Sequence, residues 1–185
     1  MLEIRIHGRG GQGAVTSVEL LAIAAIEEGK YAQGFPSFGP ERRGAPVMAF
    51  CRIDERPIRL RSKIYNPDVV MVLDPSLLGV GNPSAGIKDG GIVIINTHKS
   101  EEEVRKEYGI KATLALVDGY KIAREELGAP ITNTTMLGAL FGATKALKNE
   151  SMEGPLRERF GKIGERNVKA FRRACTETAI FPAKT

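Results

Sequence analysis

The sequence predicts an α/β fold: a three-layer, mainly parallel sheet with flanking helices and an inserted β-hairpin. Three observations predict it. A short apolar segment, 2–6, breaks into four glycines (Gly8, Gly10, Gly11 and Gly13) and runs straight on into an amphipathic stretch. Three later runs, VVMVL at 69–73, IVII at 92–95 and TLALV at 113–117, are short and wholly apolar, the pattern of parallel strands covered on both faces. Helical periodicity lies between and after them. With 185 residues, 42% of them hydrophobic, the chain has material for one substantial core and reads as a single domain over 1–185.

The first strand turns at the glycines into a helix over 14–28, where Val18, Leu21, Ala22, Ala25 and Ile26 fall on one stripe. Gly29 suits the end of that helix, and 30–33 form a short second strand. Then comes GFPSFGPERRGAP, 34–46, with three glycines, three prolines and two phenylalanines. It is too irregular for a helix or strand and too apolar for a linker. Long structured loops of this kind are usually functional or interfacial. Residues 47–53 and 58–64 alternate with period two around 54–57 and predict a hairpin. On its second arm Ile58, Leu60 and Ile64 share one side, and Arg59, Arg61 and Lys63 form a basic side, either solvated or a docking surface.

Each of the three apolar runs ends on a polar residue: Asp74, Asn96 and Asp118. With Gly8 after the first strand, these residues mark the carboxyl edge of one sheet, where open α/β sheets bind ligands. Helices are predicted over 101–108, 120–127 and 134–147, with NTT at 133–135 supplying caps. Gly138 and Gly142 form a GxxxG pair suited to close helix or subunit contact. A last helix over 163–179 closes the fold.

Composition narrows the function. No apolar run reaches the roughly 20 residues of a membrane span, and the start lacks a basic-then-apolar leader, so a cytoplasmic, non-membrane protein is expected. Cys51 and Cys175 have no CxxC spacing and read as buried thiols, not cluster or zinc ligands. His7 and His98 sit near strand ends, as ligand contacts or as hydrogen-bonded structural groups. A net charge of +5 and a pI near 9.3 point to an anionic ligand or partner. With 6% aromatics and no tryptophan, the chain lacks the interleaved rings of a nucleic-acid binder.

Gly8-x-Gly10-x-x-Gly13, between a strand and a helix, has the form and context of a dinucleotide loop. Glycines let backbone approach a phosphate, and the helix start offers N–H groups and partial positive charge. Arg9 adds a cation. NAD binding needs an acid about 20 residues on, at the end of the second strand; that place holds YAQGF. A P-loop needs lysine then serine or threonine after the last glycine, where this chain has Ala14-Val15. What remains is an anion site or a bare tight turn. No Ser–His–Asp set, metal cluster or nucleophile elbow assembles. Asp74, Asp118, Ser37 and Glu41 are polar candidates whose meeting the sequence does not show. The chain reads as one that binds and positions, with no catalytic residue of its own.

Three stretches together resemble one family. HGRGGQGAVTSVELLAIAAIEEGKYAQGFPSFGPERRGAPVMAFCRI (7–53), NPDVVMVLD (66–74) and NTTMLGALFGAT (133–144) are similar to the gamma subunit of 2-oxoacid:ferredoxin oxidoreductases, the pyruvate and 2-oxoisovalerate enzymes especially. The resemblance implies a noncatalytic subunit of a hetero-oligomer that converts a 2-oxoacid, coenzyme A and oxidised ferredoxin into acyl-CoA, carbon dioxide and reduced ferredoxin. Thiamine diphosphate and 4Fe–4S clusters would belong to the alpha, beta (thiamine-binding) and delta (ferredoxin-like) partners. It also assigns Gly8, Arg9, Gly10, Gly11, Gln12, Gly13, Thr16 and Ser17 to the phosphates of coenzyme A. The loop 34–46 becomes an inter-subunit segment or channel wall, with Phe35 and Phe38 as anchors and Glu41, Arg42 and Arg43 as orienting charges. Packing of the two rings into this chain's own core is the competing expectation. Two alternatives stand beside the resemblance: a free-standing nucleotide-dependent oxidoreductase with a Rossmann-like fold, and a basic nucleic-acid-binding module.

Overall fold

The computed structural model describes residues 1–37 and 43–184. Its strands are β1 (Leu2–Arg9), β2 (Tyr31–Pro36), β3 (Pro46–Asp54), β4 (Val69–Val72), β5 (Ile92–Asn96), β6 (Thr113–Val117) and β7 (Ala179–Phe181). Its helices are α1 (Ala14–Glu27), α2 (Glu101–Tyr108), α3 (Gly119–Leu127), α4 (Asn133–Thr144), α5 (Asn149–Phe160) and α6 (Gly164–Glu177). The seven strands form one sheet in the order β2-β3-β1-β4-β5-β6-β7. Strands β2, β1, β4, β5 and β6 point one way, and β3 and β7 run against them.

The central registers explain the unbroken apolar runs. Ile4 sits beside Val69, Val69 beside Ile92, and Ile92 beside Thr113. Alternate residues face opposite layers. Ile6, Met71, Ile94 and Ala115 turn toward α1, α4, α5 and α6, while Val70, Val93, Ile95 and Leu114 turn toward α2 and the 3-10 turn Pro75–Leu78. Both faces are dry, so neither needs a polar residue.

In the thick helical layer α4 lies on α6. A Cβ at Gly138 would stand 2.2 Å from the Phe171 carbonyl oxygen, and one at Gly142 would stand 2.4 Å from that of Cys175. The GxxxG pair thus serves helix contact within the chain. Beside it Phe141 meets Phe171 edge to face, with ring centroids 5.0 Å apart, a pairing that adds about 1 kcal/mol to simple burial.

Several expectations are corrected. The hairpin is β2–β3, not 47–53 with 58–64. Strand β3 pairs with β2 on one edge and β1 on the other, so no edge is left for 58–64. That segment runs as coil, with Leu60 exposed and Ile64 buried. Two buried arginines tie it down: Arg52 Nη1 donates to the Ser62 carbonyl, and Arg5 Nη1 to those of Ile64 and Tyr65. Strand β2 extends to Pro36, into the segment expected to be loop. The buried stripe of α1 is Ser17, Val18, Leu20, Leu21, Ala24 and Ala25, whereas Ile26 is exposed. Strand β2 and helix α5 both pack against α1, with Gly34 of β2 against Val18. Helix α5 was not foreseen; it holds Gly154 and Pro155 in its interior. Helix α4 stops at Thr144, and α6 stops at Glu177, followed by the short edge strand β7. Cys51 is fully buried, and burial pushes its thiol up to about 12. Cys175 is only half-buried, its Sγ 3.7 Å from Asn149 Oδ1.

Candidate functional site

The carboxyl ends of β1, β4, β5 and β6 share one edge of the sheet. From β1 the chain leaves for α1 on one face; from β4 it leaves for the Pro75–Leu78 turn on the other. The switch point, where open sheets hold ligands, therefore lies between β1 and β4. The glycine turn occupies its β1 side.

Gly13 has φ +83°, a left-handed conformation that glycine adopts without strain, and it starts α1. No side chain caps this helix among the described residues, and its first turn carries no acid. The turn is instead knitted from within. Gln12 Oε1 accepts from Arg9 N at 2.7 Å, while Gln12 Nε2 donates to Asp74 Oδ2 at 2.8 Å. Gly10 N donates to the Ala45 carbonyl at 2.9 Å, and Gly44 N donates to the Gly10 carbonyl at 3.1 Å. The Arg9 guanidinium is also engaged. Nη2 donates to Ser76 Oγ at 2.7 Å, Nη1 to the Gly44 carbonyl at 3.1 Å, and Nε stands 3.3 Å from Asp74 Oδ2.

Asp74 is the hub of this cluster. Its Oδ1 accepts from Ser76 N at 3.0 Å and Ser76 Oγ at 2.6 Å. Partial burial alone raises the Asp74 carboxyl, but the hydrogen bonds from Ser76 and Gln12, with the Arg9 charge, outweigh it and hold the group below its usual range. Asn96, fully buried, staples the next two connections: Nδ2 donates to the Leu73 carbonyl at 2.9 Å and Oδ1 accepts from Gly119 N at 3.0 Å. Asp118 caps α3 by accepting from Lys121 N at 2.9 Å.

Two helix starts meet at the turn. A Cβ on Gly13 would lie 3.0 Å from Asn133 Cβ and Nδ2. Asn133 is 4% exposed, and its Oδ1 is buried without a hydrogen-bond partner among the described residues. The capping expected of NTT is absent: Thr134 Oγ1 donates to Asn167 Oδ1 on α6, and Thr135 Oγ1 to the Thr132 carbonyl.

Beyond Ser76 the edge opens into a cavity of about 490 Å³. Its lining includes Ser76 and Leu78 after β4, Asn96 to Lys99 after β5, and Tyr120, Lys121 and Arg124 of α3. The sequence reading missed this cavity, because a lysine and an arginine on an amphipathic helix look like a solvated face.

The sequence candidates fall as follows. Gly8 and Arg9 are the last two residues of β1, paired with Val47 and Pro46, and Gly10, Gly11, Gln12 and Gly13 form the turn. Thr16 is half-buried on α1, its Oγ1 3.5 Å from Arg159 Nη2. Ser17 is fully buried and donates to the Gly13 carbonyl at 3.0 Å. Phe35 is half-buried against its own hairpin, with its ring centroid 5.3 Å from that of Phe50 and Arg52 Cζ 5.8 Å from its centre. Arg43 is exposed beside Gly44; Phe38, Glu41 and Arg42 lie outside the described residues. His98 lines the cavity. His7 does not: its Nε2 accepts from buried Arg5 Nε at 3.1 Å, and burial, then the Arg5 charge, lowers it from 6.5 to about 4.

A family model for pyruvate ferredoxin/flavodoxin oxidoreductase matches residues 3–177. The chain belongs to this family. The common gamma subunit of the pyruvate/ketoisovalerate oxidoreductases of Thermococcus kodakarensis is 57% identical over 98% of this chain and 99% of its own length. The crystal structure of the pyruvate oxidoreductase subunit PORC of Thermotoga maritima superposes with a TM-score of 0.87 at 40% identity, over 97% of both chains. Within the pyruvate ferredoxin/flavodoxin oxidoreductase family the chain is therefore a gamma subunit of an oxidoreductase complex. A 2-oxoglutarate:ferredoxin oxidoreductase of Magnetococcus marinus, solved with 2-oxoglutarate, coenzyme A and succinyl-CoA bound, shares the fold at a TM-score of 0.74 and 20% identity, covering 95% of this chain and 30% of that one. Among the described residues no helix is long and apolar enough to cross a membrane.

Proposed function

We propose that this gamma subunit, a single domain working in the cytoplasm, binds coenzyme A through its glycine-rich turn and delivers the thiol to chemistry on partner subunits. The complex then converts a 2-oxoacid, coenzyme A and oxidised ferredoxin into acyl-CoA, carbon dioxide and reduced ferredoxin. Thiamine diphosphate and the 4Fe–4S clusters belong to the alpha, beta and delta subunits, so the isolated chain oxidises no 2-oxoacid. One observation carries the coenzyme A assignment: a left-handed glycine opens α1, uncapped and free of acids in its first turn, at the switch point of the sheet. Such a helix start favours a pyrophosphate. In this arrangement the backbone of Gly10, Gly11 and Gly13 approaches the phosphates and Gln12 braces the turn. Arg9 contributes a charge already oriented by Ser76, and Ser17 packs the helix.

Titrating coenzyme A into the assembled complex tests this. Gly10→Asp places a carboxylate at the turn, and its expected effect is a loss of affinity of about tenfold or more, the scale of a charged hydrogen bond turned repulsive. Unchanged affinity removes the turn from the binding site. The exposed Arg43 and half-buried Phe35 are assigned, with Phe38, Glu41 and Arg42, to the contact with a partner subunit. Replacing Phe35 and Arg43 together is expected to lower co-purification of the partners.

A further inference from the structure

The basic segment 56–63 belongs to neither the turn nor the cavity. It holds four cations, Arg56, Arg59, Arg61 and Lys63, and no acid. All four are exposed, and none has an acidic partner within salt-bridge distance among the described residues. The acids that flank the segment are already engaged: Asp54 meets the amino terminus at 3.2 Å, Glu55 meets Lys30 at 3.9 Å, and Asp68 meets Lys88 at 2.9 Å. The backbone here is coil, yet it is fixed. It crosses the face of β1 and β3 turned away from α1, because Ile4, Cys51 and Ile53 join the helix-covered core and Arg5 and Arg52 alternate with them. From beneath, Arg52 Nη1 donates to the Ser62 carbonyl at 2.8 Å and Arg5 Nη1 to the Tyr65 carbonyl at 3.1 Å, and Ile64 is buried. Leu60, 48% exposed, and Tyr65, 70% exposed, stand among the outward cations. Arg52 also links the segment to Phe35, since its Cζ lies 5.8 Å from the centre of that ring.

We propose that this strap docks a carboxylate-rich surface of another subunit of the complex, with Arg59, Arg61 and Lys63 pairing the carboxylates and Leu60 as the apolar contact among them. The proposal deepens the partner contact assigned to Phe35 and rests on that reading for the continuation of the interface past Arg52. Three of the four cations are arginines, whose planar fork takes a carboxylate bidentately. Arginine and aromatic rings are also the groups that interfaces favour. The strap carbonyls are held before any partner arrives, so docking orders side chains and leaves the backbone as it stands. A phosphate backbone would leave Leu60 uncovered. A lipid surface calls for an amphipathic helix with a broad apolar face, where this coil offers one leucine and one tyrosine. An acidic protein surface covers both kinds of group, and a gamma subunit has such partners at hand.

Titrating the full chain against the purified remaining subunits of the complex, at about 0.05 and about 0.5 M salt, tests this. Wild-type affinity is expected to fall about tenfold or more across that range as the paired charges are screened. Arg59→Glu/Arg61→Glu/Lys63→Glu is expected to weaken assembly about a hundredfold at the lower salt, with an unchanged melting curve, since Arg5 and Arg52 still hold the backbone. Arg59→Gln/Arg61→Gln/Lys63→Gln keeps the bulk and loses the salt dependence; it decides the question alone if the reversal variant melts early. Phe35→Ala weakens assembly and leaves the salt dependence in place. A glutamine variant that assembles with wild-type affinity and salt dependence overturns the strap, while a Phe35 effect beside it keeps the partner contact there. A strap effect without a Phe35 effect removes Phe35 from the interface and leaves the strap standing. Binding of phosphatidylserine vesicles or duplex DNA that is lost in the reversal variant, with subunit assembly unchanged, overturns the acidic-protein assignment.

Discussion

The glycine turn and the cavity beside it share one sheet edge and differ in how their charges are used. In the turn, every polar side chain already has a partner: Arg9 on Asp74, Ser76 and a carbonyl, and Gln12 on a backbone N–H and Asp74. In the cavity, Lys121 and Arg124 are exposed and lack an acidic partner among the described residues. A pre-tied loop offers shape and backbone, with little reorganisation when a ligand arrives. Unpaired cations offer charge and hence discrimination between anions. The contrast teaches that the arginine inside a glycine motif is a brace as much as a ligand. The exposed charge without an acidic partner lies one connection further along the sheet, among the described residues.

Changes in the turn should therefore cost stability as well as binding, and changes in the cavity should cost little stability. The largest effect is expected at Gly13→Val. It forces a branched residue to φ +83° and drives a Cβ to 3.0 Å from Asn133, for a loss of about 4 kcal/mol in denaturant unfolding from strain and overpacking together. A loss as small as that of a surface substitution would show that the turn is not rigid.

A pH titration probes the strand behind the turn. His7 is neutral in the fold and titrates near 4 instead of 6.5. Above 6.5 both folded and unfolded states are neutral, so its stabilisation is complete there. Between 6.5 and about 4 only the unfolded chain takes up the proton, so stability falls as the pH drops through that window. The loss approaches about 3 kcal/mol. His7→Gln should lack this component of the acid dependence; an identical profile would mean His7 is not held neutral.

Asp74→Asn comes next. It keeps the shape but removes the charge facing Arg9 and turns one acceptor into a donor, opposite Gln12 at Oδ2 or Ser76 at Oδ1. The expected cost is about 1–2 kcal/mol, measured by chemical unfolding. Smallest of all is Lys121→Ala/Arg124→Ala, where unfolding should change by no more than about 0.5 kcal/mol, as for exposed side chains. Its melting curve is expected to overlay that of the wild type, and a large shift would give these residues a part in holding the fold.

Much of the architecture was legible because local pattern and tertiary environment agree. The runs 69–73, 92–95 and 113–117 are apolar throughout, and the sheet buries both of their faces. Gly8 to Gly13 turns where a strand meets a helix, and Gly138 and Gly142 mark a true close approach of two helices. Where reading failed, a distant element decided. Residues 58–64 alternate like a strand, but β3 had no edge left to pair with them. Helix α5, absent from the sequence reading, runs through Pro155 with Met152 and Leu156 buried beside it. The contact of Asn133 with Gly13, and the cavity at Lys121 and Arg124, join segments far apart in the chain. No periodicity within either segment could announce them.

Hydrogen–deuterium exchange on the assembled complex, with and without coenzyme A, addresses the central assignment most directly. Protection on ligand addition is predicted at residues 10–16, where backbone N–H groups of the turn and the start of α1 meet phosphate. Coenzyme A bound to the complex with no change in exchange at 10–16 would contradict the account.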